Sequence, residues 1–134
     1  MTRPPATLGL APFATQWAVL LTSHRRDGTG VGTAVNLAVE SDHAYFRTSG
    51  KTWKARRLRR DPGVELAPAT PAGRPVGPEI RARARLLDRG SAEDRHAARV
   101  LRRKHPVVQG VLVPLIHRAT RTPTQHYEVR PVAD

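Results

Sequence analysis

Residues 45–62, YFRTSGKTWKARRLRRDP, pass from a short strand through a Thr-Ser-Gly turn into a helix that Asp61-Pro62 brings to a stop. The helix is predicted from about Lys51 to Arg60, with Ser49 as its N-cap. Six of its ten residues are basic: Lys51, Lys54, Arg56, Arg57, Arg59 and Arg60. Cations in the first turn oppose the helix dipole, so Lys51 and Lys54 cost stability unless an anion sits there, and local conflicts of this kind gather at functional sites. A strand that delivers small polar residues and free backbone N–H groups to a helix start is a physical description of a phosphate cradle. The chain carries 23 basic residues but only three lysines, and two of them fall in this segment. A general preference for arginine does not explain lysine here, where a flexible point charge suits a phosphate.

Upstream, residues 1 to 7 read as a loose tail and Leu8 to Ala14 as a short helix broken near Pro12. Gln16 to Ser23 reads as a buried strand, Arg26-Asp27-Gly28-Thr29-Gly30 as a hairpin turn, and Val31 to Val39 as the returning strand. Ser41-Asp42 turns the chain into a third strand, His43 to Arg47. Downstream of the basic helix, Val64 to Thr70 and Glu79 to Leu87 form a strand pair around the loop PAGRPVGP, residues 71–78. Ser91 to Asp94 reads as a capping box that opens a helix to about Lys104. Leu112 to Arg118 is predicted as a further helical piece and Gln125 to Arg130 as a last strand. This order favours a mainly β, antiparallel barrel over a doubly wound parallel sheet, within one domain spanning residues 1–134.

Composition bounds the function. A formal charge of +12 on 134 residues calls for an anionic partner: nucleic acid, a membrane surface or a charged small molecule. A chain-wide bias toward Arg, Ala, Pro and Gly accounts for the charge taken alone about equally well. With no cysteine, disulfides, thiolate metal sites and cysteine nucleophiles are excluded. The stretch Leu8 to Leu21 is interrupted by Pro12 and Gln16 and reads as neither a signal peptide nor a membrane span, which points to a cytoplasmic protein. The six histidines show no metal-binding spacing, the serines stand in no nucleophile motif, and no carboxylates pair as acid and base. Neither a Gly-x-Gly-x-x-Gly run nor a Walker loop is present, so any chemistry belongs to a cofactor held another way.

The ordered set LLTSHRRDGTGVGTAVNLAV, HAYFRTSGKTWKARRLRRDPGVELAPAT, GRPVGP followed by IRARARLL, and HYEV resembles the deazaflavin-dependent branch of the pyridoxamine-phosphate-oxidase-like family, the flavin-binding split barrels, across about residues 15 to 130. The resemblance implies a six-stranded antiparallel split β-barrel of the FMN-binding type with peripheral helices, forming a homodimer with the cofactor in an interface groove. It implies coenzyme F-420 as cofactor, with FMN as the alternative, and an oxidoreductase that passes a hydride from the reduced coenzyme to a small organic substrate. Carried over by position, the cofactor phosphate meets Arg47, Thr48, Lys51, Lys54 and Arg57, and the ring meets Thr33, Ala34, Val35 and Asn36. No catalytic side chain and no metal ligand are nominated. The family's bulky aromatic near Asn36 or Leu37 is missing, and residues 106–125 match only loosely. A coenzyme carrier without turnover is a second reading. A nucleic-acid binder is a third, disfavoured because the basic segments lack interleaved aromatics and no zinc or helix-turn-helix module appears.

Overall fold

Two strand-forming runs joined by an Asp-Gly turn fold residues 18–35 into a hairpin. Strands β1 (Ala18–His24) and β2 (Gly30–Val35) pair antiparallel in the register Val19 with Val35 through His24 with Gly30. The turn is closed by the Arg25 N–H on Thr29 O at 2.9 Å and by the Thr29 N–H on Asp27 Oδ1 at 2.9 Å, with Gly28 at φ +88°. A glycine takes that left-handed conformation without steric penalty. The remaining elements are β3 (Ala38–Glu40), β4 (His43–Ser49), α1 (Trp53–Arg60), β5 (Gly63–Ala69), β6 (Ile80–Leu86), α2 (Ala92–Lys104) and β7 (Thr124–Pro131). This is a computed structural model, which describes residues 9–49, 52–106, 115, 118 and 124–132. The tail 1–7, Lys51 and most of the stretch 112–118 lie outside the described residues.

All seven strands form one antiparallel sheet in the order β2-β1-β5-β6-β7-β4-β3. The predicted strand from Val31 to Val39 is in fact two, because its halves pair with different partners: β2 with β1, and β3 with β4. Those halves lie at opposite edges of the sheet, yet Val35 and Ala38 are three residue steps apart. Three steps reach at most about 11 Å, whereas the outer strands of a flat seven-stranded sheet lie about 29 Å apart. The sheet must therefore curl until its two edges meet, and the Asn36-Leu37 link is the seam. Asn36 donates through Nδ2 to Trp17 O at 2.9 Å, and Leu37 is wholly buried. Lys104, the last residue of α2, donates through Nζ to Phe13 O at 3.0 Å and to Leu37 O.

Inside the curl, Val19, Leu21, Phe46, Val64, Leu66, Tyr127 and Val129 make the main core, and Leu58 of α1 joins it. Phe46 and Tyr127, cross-strand partners on β4 and β7, stack with ring centroids 4.9 Å apart. A second cluster sits under α2, where Ala97, Val100 and Leu101 pack on Ala38, Tyr45 and Leu87. Ser91 caps α2 by accepting from the Asp94 N–H at 3.1 Å, and Asp94 Oδ2 accepts from the Gly90 N–H at 3.0 Å. Helix α1 begins later than predicted. Ser49 belongs to β4, paired with Thr124, and Thr52 is the cap, its Oγ1 accepting from the Ala55 N–H at 3.1 Å. A threonine at position 52 caps well enough to let the β4 to β7 ladder run on to Ser49.

Burial pushes the Lys104 ammonium down from its ordinary 10.5 to about 8. Its folded value lies below its unfolded value, so between these limits the unfolded chain binds the extra proton and stability rises with pH. We expect denaturant melts to show the native protein gaining stability between about pH 8 and pH 10.5 relative to Lys104→Met. At pH 7 the variant should be less stable by about 1–3 kcal/mol for the orphaned carbonyls.

Candidate functional site

Helix α1 carries five cations in eight residues (Lys54, Arg56, Arg57, Arg59 and Arg60), with no acid in its first turn. Ala55 and Leu58 are its buried face. Lys54 and Arg57, one turn apart, are half-buried at its flank. Arg57 donates from Nε to Ser23 Oγ at 2.7 Å, and Ser23, on β1, is itself wholly buried. Arg60 donates from Nη2 to His24 O at 2.8 Å. Both guanidinium groups are thus aimed by neutral acceptors, which orient the fork without cancelling its charge.

Lys54 has no hydrogen-bond acceptor or ion-pair partner among the described residues. Burial, and then the charge of Arg57, push its ammonium down to about 8. Arg57 in turn is pushed below its ordinary value by burial and by the charges of Arg25 and Arg60. A half-buried cation beside a second cation is held at an electrostatic cost that a bound anion would relieve. Thr48, buried on β4, lies beside this helix start with its Oγ1 3.5 Å from Thr52 Oγ1.

Arg47 goes elsewhere. Successive side chains of a strand point to opposite faces, so Arg47 and Thr48 part company. Thr48 shares the inward face with Phe46, while Arg47 shares the face under α2 with Tyr45. There Arg47 Nε donates to His126 Nε2 at 2.9 Å, and His126 Nδ1 donates to Asp94 Oδ1 at 2.7 Å. This fixes His126 as the neutral Nδ1–H tautomer. Burial pushes the Asp94 carboxyl up, but the Gly90 N–H, the His126 bond and the charge of Arg47 outweigh it and leave Asp94 below its ordinary value. On β2, Thr33 and Val35 point to the core side and Ala34 to the exposed side, and Asn36 is committed to Trp17 O. The predicted residues therefore fall into three groups: Thr48, Lys54 and Arg57 at the start of α1, Arg47 under α2, and Thr33 to Asn36 along the sheet edge and seam.

A cleft of about 570 Å³ lies beside α1, lined by Arg25, Arg26, Val31, Trp53, Arg57 and Arg60. Among the described residues no carboxylate lines it. Trp53 is 72% exposed, and the Arg56 guanidinium lies 4.8 Å from its ring centroid. Of these residues only Arg57 was anticipated. The signal was present, since positions 53, 57 and 60 share one helix face and Arg25-Arg26 opens a hairpin turn. Among the described residues no group of histidines and carboxylates could hold a metal ion. No described helix is long and apolar enough to cross a membrane.

The bond from Asp94 to His126 stabilises the folded chain above the ordinary carboxylate range and is lost as pH falls through the lowered Asp94 value. We expect Asp94→Asn to cost about 1–3 kcal/mol at pH 7. The gap to the native protein should close below about pH 4 in acid titrations followed by circular dichroism.

No family model matches the chain, and no curated protein matches it. Solved structures do. The heme storage protein HutZ from Vibrio cholerae superposes with a TM-score of 0.71 at 12% identity, over 98% of this chain and 93% of that one. A putative pyridoxamine 5'-phosphate oxidase from Listeria innocua gives 0.64 at 17% identity, over 96% and 94%. A protein described as an F-420 reductase gives 0.58 at 18% identity, over 98% and 97%. At such identities the likeness speaks for architecture. The chain has the mainly β, antiparallel, curled-sheet fold of the FMN-binding split barrels, a fold that hosts oxidoreductases and heme-storage proteins alike.

Proposed function

We propose that this protein binds the anionic end of a flavin-like redox coenzyme at the start of α1, and that the coenzyme is F-420 in a hydride-transferring reductase. The observation that carries the reading is Lys54: a half-buried ammonium at a helix start, beside Arg57, with no acceptor among the described residues. Thr48 and Lys54 would hold a phosphate, with Arg57 at its border and the N–H groups of the first turn of α1 behind them. Lys51, also implied by the resemblance, stays in the proposal, whereas Arg47, turned under α2 onto His126, does not. Thr33 to Asn36 would support the ring. The bound coenzyme supplies the hydride; the chain's own residues bind, orient and screen it from water. The reading includes a homodimer, whose groove would cover the coenzyme.

A large positive excess favours the deazaflavin, with its acidic tail, over FMN, which has one phosphate. Fluorescence titration with each coenzyme separates them, and oxidation of bound reduced coenzyme by quinones and enones separates enzyme from carrier. We expect F-420 to bind the more tightly, and Lys54→Ala to weaken it by about 1–3 kcal/mol, a factor of roughly 5 to 150. Affinity should also decline as pH rises above about 8, where the free protein's Lys54 loses its proton, and Lys54→Arg should flatten that decline. Unchanged affinity in a folded Lys54→Ala protein would remove the site.

A further inference from the structure

The cleft beside α1 is separate from the Lys54 position: Lys54 does not line it, and four of its six lining residues are arginines. Two of these are fixed in place by neutral groups, Arg57 by Ser23 Oγ and Arg60 by His24 O. Among the described residues Arg57 has no acceptor for its terminal nitrogens and Arg26 no side-chain partner, while Arg25 acts at charge range on the exposed Asp27 without a hydrogen bond to it. Acids of the adjoining segments are engaged elsewhere. Asp27 accepts from the Thr29 N–H, Asp61 from the Gly63 N–H, and Glu65 pairs with His24 at 2.9 Å. Two guanidinium groups oriented by neutral acceptors and bonded to no carboxylate form a standing site for phosphate oxygens.

The second feature is Trp53. A tryptophan left 72% exposed is costly in water, and this one opens onto the same cleft as the arginines while Arg56 backs its ring. An exposed tryptophan face is a stacking platform for a nucleobase. From Trp53 to Arg60 the helix rises about 10 Å, at about 1.5 Å per residue. That is close to the reach of a nucleoside diphosphate from base to terminal phosphate. The volume of about 570 Å³ lies within the ordinary range for small-molecule sites.

We propose that this cleft binds a nucleotide bearing two or more phosphates, with its base on Trp53 and its phosphates on Arg57, Arg60 and Arg25. The ligand is either a free nucleotide or the nucleotide half of a dinucleotide. The proposal shares Arg57 with the coenzyme reading but does not rest on it, since Trp53, Arg25, Arg26 and Arg60 belong to the cleft alone.

The test is a tryptophan-fluorescence titration of the full chain carrying Trp17→Phe, so that Trp53 alone reports. Probes are ADP, NADPH, adenosine, pyrophosphate, a triglutamate peptide and an oligothymidylate, at physiological ionic strength. We expect ADP to quench Trp53 and to bind at least about tenfold more tightly than pyrophosphate or adenosine. NADPH matching or exceeding ADP would identify a dinucleotide as the source, and NADPH failing where ADP binds would identify a free nucleotide. The Arg25→Ala/Arg60→Ala double variant, checked for native circular dichroism, should lose about tenfold or more for ADP while keeping its F-420 affinity within about threefold. Should the double variant unfold, Arg25→Ala alone, at an exposed turn residue, carries the test with a smaller loss. ADP binding no better than pyrophosphate, triglutamate binding as well as ADP, or ADP affinity unmoved by the arginine variants would each overturn the proposal. So would an oligothymidylate that outcompetes ADP with a steep salt dependence, which would mark a nucleic-acid surface.

Discussion

The short link Asn36-Leu37 constrains everything else in this molecule. It joins the two outermost strands of a seven-stranded sheet across a distance that only a curled sheet allows. Lys104 bonds the Leu37 carbonyl from the end of α2, so the helix that covers one face of the sheet also ties the seam shut. Closure turns one face inward to make the core of Val, Leu and Phe46-Tyr127. A chain with six aromatics and little other bulk needs that enclosure to bury enough apolar surface.

The seam also arranges the charges. Once β1 and β2 form one wall, helix α1 lies against β1, where Ser23 and His24 meet Arg57 and Arg60. The basic helix is therefore held at two of its cations by uncharged atoms. Ion-paired arginines occur elsewhere in the same molecule: Arg85 with Glu93 and Glu128, and Arg130 with Glu128 and Asp42. Those arginines are neutralised, whereas Arg57 and Arg60 of α1 have no ion-pair partner among the described residues. The net charge alone does not make that distinction.

Much of the fold is written plainly in the chain. The Asp-Gly hairpin, the β5 and β6 pair around its Pro- and Gly-rich loop, and the Ser91 start of α2 lie within a residue or two of where pattern and turn chemistry place them. Two local choices were not legible. A run such as VGTAVNLAV looks like one strand because pattern reports burial and not pairing partner, so the switch at Asn36-Leu37 stays hidden. Ser49 and Thr52 are both competent caps, and only the ladder between β4 and β7, made by residues about eighty positions apart, decides between them. In the candidate site, Lys54 feels the charge of Arg57, and Thr48 lies against Thr52 at the cap of the same helix. Strand alternation alone could have shown that Arg47 faces away from Thr48. Trp53, Arg25 and Arg60 were harder to find, because only the meeting of a hairpin and a helix brings them to one cleft.

The claim at the centre of this account is that a half-buried, unneutralised lysine at the start of α1 receives the anionic end of a flavin-like coenzyme. A crystal structure of the protein grown with F-420 tests it most directly. The account predicts a phosphate group within hydrogen-bond distance of Lys54 Nζ and Thr48 Oγ1. A coenzyme seated elsewhere, with Lys54 facing only water, would contradict it.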